Sequence, residues 1–189
     1  MTIAGWNDTA RDTNLAGSAY SPFGIREQER ERNEATVKAL SRIWYGRAFE
    51  PGCSVGGLTA QLARRCVQVT ATASAPEFVA QTEARCARFP NVEVHQASLA
   101  DDPPLGTFDL IVLSDFGCHF APKPLIQLVL RMVGQLQPGG EIVAAHSLGA
   151  SRHPLSGDTV HNLLKAQLPL EWTHGQRHDD FRIDVWRYL

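Results

Sequence analysis

Glu50-Pro51-Gly52-Cys53-Ser54-Val55-Gly56-Gly57-Leu58-Thr59 is the stretch on which the reading of this chain turns. A short strand candidate, residues 47–50, runs into it, and a helical segment, residues 57–65, runs out of it. Small residues at 52, 54, 56 and 57 let a ligand approach the backbone closely. No Gly-Lys-Ser/Thr follows, which excludes a phosphate-cradling P-loop. From Gly52 the pattern is GxSxGG rather than GxGxxG, and Glu50 stands just before it. A carboxylate there repels a pyrophosphate and attracts an ammonium or sulfonium group. Glycine turns also join strands to helices with no ligand at all, so the acid, the turn and their strand–helix context must be weighed together.

Outward from this turn the chain alternates. Strand candidates fall at 68–73, 92–96, 108–113 and 141–146, with helices at 76–88, 124–136 and 158–167 between or after them. Pro138-Gly139-Gly140 reads as the stop of the helix before it, and Asp158 reads as the N-cap of the helix after the polar loop 147–157. The apolar run Phe108–Leu113 suits a central parallel strand covered on both faces. Two last strand candidates, 170–174 and 181–188, have only a short connection, which forces a hairpin and one antiparallel strand. The expected fold is α/β: a mostly parallel, Rossmann-like sheet with a C-terminal antiparallel strand and an N-terminal helical arm. In such sheets ligands bind beyond the carboxyl ends of the strands. Ahead of the turn, residues 25–44 read as one helix. Its charges, Arg26, Glu27, Glu29, Arg30, Glu31, Arg32 and Glu34, form a mostly solvated face, and Val37, Leu40, Ile43 and Trp44 form its apolar end. Residues 1–24 read as a flexible arm or lid, with Tyr20 or Phe23 against the ligand, or as a frayed tail with one hydrophobic anchor.

Composition narrows the function. The 189 residues suit one domain, 1–189, and carry 18 Lys plus Arg against 20 Asp plus Glu, a net charge of −2. That leaves no basic field for nucleic acid. No stretch approaches a membrane span or a secretion signal, so the expected location is cytoplasmic. Cys53, Cys66, Cys86 and Cys118 show no CxxC pairing and read as free core thiols. Each of the seven histidines reads as a loop or satisfied histidine rather than a ligand, so no metal site is expected.

A cationic amino-acid end on a nucleoside describes S-adenosylmethionine, and the residues quoted so far resemble those of class I S-adenosylmethionine-dependent methyltransferases. More narrowly, the chain is similar to the nodulation-protein-S-like N-methyltransferases. The carriers are 49–59, Leu62-Ala63-Arg64-Arg65-Cys66, 108–115, Pro138-Gly139-Gly140, Ala144-Ala145-His146 and Leu155-Ser156-Gly157-Asp158-Thr159-Val160-His161. The resemblance implies strand order 3-2-1-4-5-7-6 with strand 7 antiparallel. It implies cofactor contacts at Tyr20, Glu50, Gly52, Cys53, Ser54, Ala73, Ser74, Ser98, Leu99 and Ser114. It also implies a methyl acceptor on a small molecule or amino sugar; Trp44, Trp172 or Trp186 would stack on a ring or serve as core or interface residues.

Two positions depart from the pattern. The acid that accepts from the ribose hydroxyls falls on Ala73, and the acid that accepts from the adenine amino group falls on Ser98. Losing a charged acceptor weakens binding by about 1.5–3 kcal/mol, roughly 10- to 150-fold. Two readings therefore stand: an N-methyltransferase with weakened cofactor affinity, or a methyltransferase fold serving as a binding or partner module. For the enzyme, Asp115 at the end of the fourth strand would position the amine and accept its proton, and His119 and His146 would converge on the acceptor. Asp115 as a simple turn-capping residue is the competing assignment.

Overall fold

In a computed structural model of the protein, residues 27–98, 104–149 and 152–189 are described. Seven strands form one sheet: β1 Tyr45–Pro51, β2 Cys66–Ala73, β3 Val92–Gln96, β4 Phe108–Ser114, β5 Leu136–Ser147, β6 Glu171–Arg177 and β7 Phe181–Arg187. Their order is β3-β2-β1-β4-β5-β7-β6. The pairs β2–β3, β1–β2, β1–β4 and β4–β5 are parallel, and β7 runs antiparallel to both β5 and β6. The short 178–180 link makes the expected hairpin, closed by the His178 N–H donating to the Phe181 carbonyl at 2.8 Å.

Helices cover both faces: α1 Glu27–Ala39, α2 Thr59–Leu62, α3 Pro76–Cys86, α4 Pro122–Val133 and α5 Gly157–Gln167. The alternation along β4 shows why its sequence is apolar throughout. Ile111 and Leu113 pack with Leu125, Val129 and Met132 of α4 and Val160 and Leu164 of α5. Leu110 and Val112 face the other way, toward Ala39 of α1, Leu62 of α2 and Val69. All four β4 residues are buried, each contributing roughly 1.5–3 kcal/mol of transfer free energy. Period two with both faces covered leaves no polar position between the ends of the strand.

Several sequence expectations shift. Helix α1 stops at Ala39 rather than 44, and Ile43 and Trp44 are exposed instead of forming an apolar face. The reason is a C-terminal cap supplied from α2's end: Arg65 donates to the carbonyls of Ile43 at 2.6 Å, Val37 at 3.4 Å and Arg42. The chain then turns directly into β1. Arg32 is not part of a solvated face but is buried; the outward face is the Glu27–Arg30–Glu34 set of ion pairs. Pro138-Gly139-Gly140 lies inside β5, with Gly139 at φ +76° and paired to Tyr188. Asp158 is not the cap of α5: Ser156 accepts from the Thr159 N–H at 3.2 Å, and Asp158 pairs with Arg177 and Arg182.

Candidate functional site

The strands β1 to β5 end at one edge, at Pro51, Ala73, Gln96, Ser114 and Ser147. The glycine turn leaves β1 there with three residues of positive φ: Gly52 at +72°, Ser54 at +50° and Gly56 at +76°. It is clamped from two sides. The Cys53 N–H donates to the Thr72 carbonyl at 2.8 Å. From α3, the Thr82 hydroxyl donates to the Ser54 carbonyl at 2.9 Å and Arg85 Nε donates to the Val55 carbonyl at 2.7 Å. A Cβ on Gly56 would lie 2.8 Å from Thr82 Cγ2, so both φ and space demand glycine.

Glu50 lies buried beneath the turn, and the Thr59 hydroxyl donates to its Oε2 at 2.6 Å. Burial pushes the carboxyl up to about 8; the Thr59 bond opposes this and the Glu29 charge adds to it. Glu50 is therefore largely protonated at neutral pH until a cation approaches it. Burial likewise pushes the Cys53 thiol, which touches Thr82, up to about 12.

At the end of β2, Ala73 is buried with Cys53 and Ala71 against Phe78, Val79 and Val94. Ser74 beside it is exposed, and its carbonyl accepts from the Gln96 amide at 3.3 Å. Ser98 follows the Ala97 N–H, which donates to the Ala73 carbonyl at 3.0 Å. Tyr20, Phe23, Leu99 and the whole 1–24 arm lie outside the described residues.

At the end of β4, Ser114 is half-buried and Asp115 takes φ +48°. Asp115 Oδ1 accepts from the Ser147 N–H at 2.8 Å, and Oδ2 pairs with Arg32 at 2.6 Å. Both oxygens of this candidate base are thus engaged, tying it to α1 and β5. Arg32 is hidden in the sequence because the charged first turns of α1 give no apolar period to mark its inner face. His119 sits in the turn Gly117–His119, edge-on to His153 with ring centres 4.4 Å apart.

His146 does not converge on an acceptor. It is fully buried, its Nε2 lies 3.0 Å from the Gly117 N–H, and its Nδ1 lies 3.2 Å from His161 Nε2. Burial, followed by the His161, Arg32 and His119 charges, holds it well below its ordinary range, so it is neutral. Trp186 is core and Trp44 is exposed beyond the amino end of β1; neither serves the carboxyl edge. Trp172 gives its indole N–H to Asp184 at 2.9 Å.

The turn and Glu50 fit a ligand end that carries an ammonium group: open left-handed backbone above, a carboxyl below. The β2 end offers the Ser74 hydroxyl and backbone but no carboxylate for a ribose. Residues 48–140 match a family model described as a methyltransferase domain. No curated protein matches the chain. Among solved structures, a candidate methyltransferase from Pseudomonas syringae is similar at 33% identity, covering 86% of this chain and 99% of that one, with TM-score 0.74. The N-methyltransferase NodS from Bradyrhizobium japonicum WM9, bound to S-adenosyl-L-homocysteine, has 22% identity, coverage of 94% and 95%, and TM-score 0.79. The PH0226 protein from Pyrococcus horikoshii OT3 has 16% identity, coverage of 95% and 99%, and TM-score 0.76. With the sheet order, the glycine turn and these matches together, the chain belongs to the S-adenosylmethionine-dependent methyltransferases.

Proposed function

We propose that the protein transfers a methyl group from S-adenosylmethionine to an amine of a small molecule or amino sugar. The observation that carries this reading is the buried Glu50 under the glycine turn, on the same strand edge as Asp115. Glu50 with Gly52, Cys53 and Ser54 would hold the amino-acid end, Ala73 and Ser74 the ribose, Ser98 and Leu99 the adenine, and Ser114 the side facing the acceptor. The bound cofactor supplies an electrophilic methyl on a sulfonium. The chain supplies alignment and exclusion of water.

Asp115 would orient the acceptor nitrogen by accepting its N–H, exchanging Arg32 for the substrate. His146 takes no part in the proton transfer, since both its ring nitrogens are occupied. The amine assignment rests on the resemblance to the NodS-like enzymes. The net charge of −2 supports a small acceptor over a nucleic acid.

The test is isothermal titration with S-adenosylmethionine and S-adenosylhomocysteine, with Ala73→Asp alongside. Micromolar binding by the native protein supports the enzyme, and screening of amines follows. Ala73→Asp should tighten binding about 10- to 150-fold, the value of a charged acceptor toward the ribose. Binding seen only in the variant would favour the second reading, a scaffold that has given up its cofactor and serves as a binding module.

A further inference from the structure

The segment Ser156–His161, the antiparallel strand β7 and the turn after β4 meet in a buried chain of hydrogen bonds whose direction is dictated throughout. The Gly117 N–H can only donate, so His146 Nε2 accepts, at 3.0 Å. Neutral His146 then carries its proton on Nδ1 and donates to His161 Nε2 at 3.2 Å. His161 in turn carries its proton on Nδ1 and donates to Asp184 Oδ2 at 2.7 Å. Asp184 also pairs with Arg182 Nε at 2.8 Å and accepts from the Trp172 indole at 2.9 Å. Burial alone would raise this carboxyl; the bonds from His161 and Trp172 and the Arg182 charge hold it below its usual range. An acceptor-only group therefore ends the chain and fixes both tautomers.

Three glycines make room for the chain. A Cβ on Gly117 would lie 2.5 Å from Val160 Cγ1, one on Gly157 would lie 2.3 Å from the Ser147 carbonyl, and one on Gly175 would strike the Asp184 carboxylate. Both histidines are at zero exposure, so each link left unmade strands a polar group without water.

We propose that Asp184 and His161, acting through His146, are positioning residues that set the backbone amide of Gly117 and thereby hold residues 115–119 at the acceptor side of the β4 edge. The role rests on the reading of that edge as the place of methyl transfer. Asp115 and His119 flank the anchored amide by two residues on either side, so a slip at Gly117 displaces both.

Ring-nitrogen NMR of the 15N-histidine-labelled native protein tests the direction. His146 and His161 should both show protonated Nδ1 and bare, accepting Nε2; the opposite tautomer at either ring overturns the relay. Asp184→Asn puts an NH2 group against the Trp172, Arg182 or His161 donors and should speed hydrogen exchange at the Gly117 amide about tenfold or more. S-adenosylhomocysteine affinity should change less than about threefold in that variant, because the relay lies on the acceptor side. His161→Gln, which can accept from His146 and donate to Asp184, should keep Gly117 protection within about threefold of native. Unchanged exchange in Asp184→Asn, or full loss of Gly117 protection in a folded His161→Gln, overturns the proposal. Absent S-adenosylhomocysteine binding by the native protein would sink the methyltransferase reading and leave the ring-nitrogen result intact.

Discussion

Replacing Glu50 by glutamine should make the ligand-free protein more stable at alkaline pH while weakening its hold on the cofactor. The carboxyl titrates near 8 in the fold against an ordinary 4.5, because it is buried. Its folded value is raised, so between those two pH values the native state holds a proton that the unfolded chain has released. The associated stability is fully present below about 4.5 and is lost as pH rises through 8. By linkage this amounts to about 4 kcal/mol between pH 5 and pH 9, a ceiling figure for a carboxyl displaced this far. The amide of the Glu50→Gln variant does not titrate in this range, and its carbonyl can still accept from Thr59. Urea denaturation followed by tryptophan fluorescence at pH 5, 7 and 9 should show the two proteins close at pH 5 and the variant ahead at pH 9. Titration with S-adenosylmethionine should show the native protein releasing a proton on binding, read from buffers of different ionisation enthalpy, and the variant binding more weakly with no such release. Parallel stability curves across the pH range would refute the account of Glu50 as a buried, protonated acid.

Gly56→Ala should cost about 2–4 kcal/mol in chemical denaturation, from left-handed strain and the approach to Thr82. Adding Thr82→Ser, which removes the nearest methyl, should return part of it; no recovery would mean the strain lies elsewhere. A double-mutant cycle of Arg32→Met and Asp115→Asn should give a coupling of about 1 kcal/mol for this pair, whose aspartate partner is part exposed, whereas additive losses would show the contact to be idle. Burial raises all four thiols, with Cys53, Cys66 and Cys118 pushed to about 12. A disulfide reagent at pH 8 should therefore label them only at the rate of opening, and rapid labelling of the native protein would contradict that burial.

The sheet was legible because strand and helix periods alternate cleanly and because the 178–180 link is too short for anything but a hairpin. The edge that carries Glu50, Ala73, Ser98 and Asp115 follows from that alternation, since each lies at or just beyond a strand end. Arg32 was hidden: its burial depends on where α1 lies against β5 and β7, and nothing in a run of alternating charges marks one arginine as inward. The histidine relay was hidden for a different reason. Gly117, His146, His161 and Asp184 sit on four separate elements, and only the reversed direction of β7 brings Asp184 beneath His161. His146 looked like an edge residue by position, yet Gly117 and Gly157 close over it. Pro138-Gly139-Gly140 misled because a bulge between the Phe108–Leu136 and Leu110–Glu141 pairs accommodates the residues that usually stop a helix.

The place of β7 in the sheet has a consequence for biosynthesis. It leaves the ribosome after the other six strands of the sheet, yet it is inserted between β5 and β6. Until it emerges, the long strand β5 presents its outer row of amide and carbonyl groups to whatever is nearby, and β6 has no partner at all. A nascent chain lacking residues 181–187 therefore carries an open edge of the kind that seeds self-association. Chains stalled before that point should be the ones that chaperones retain.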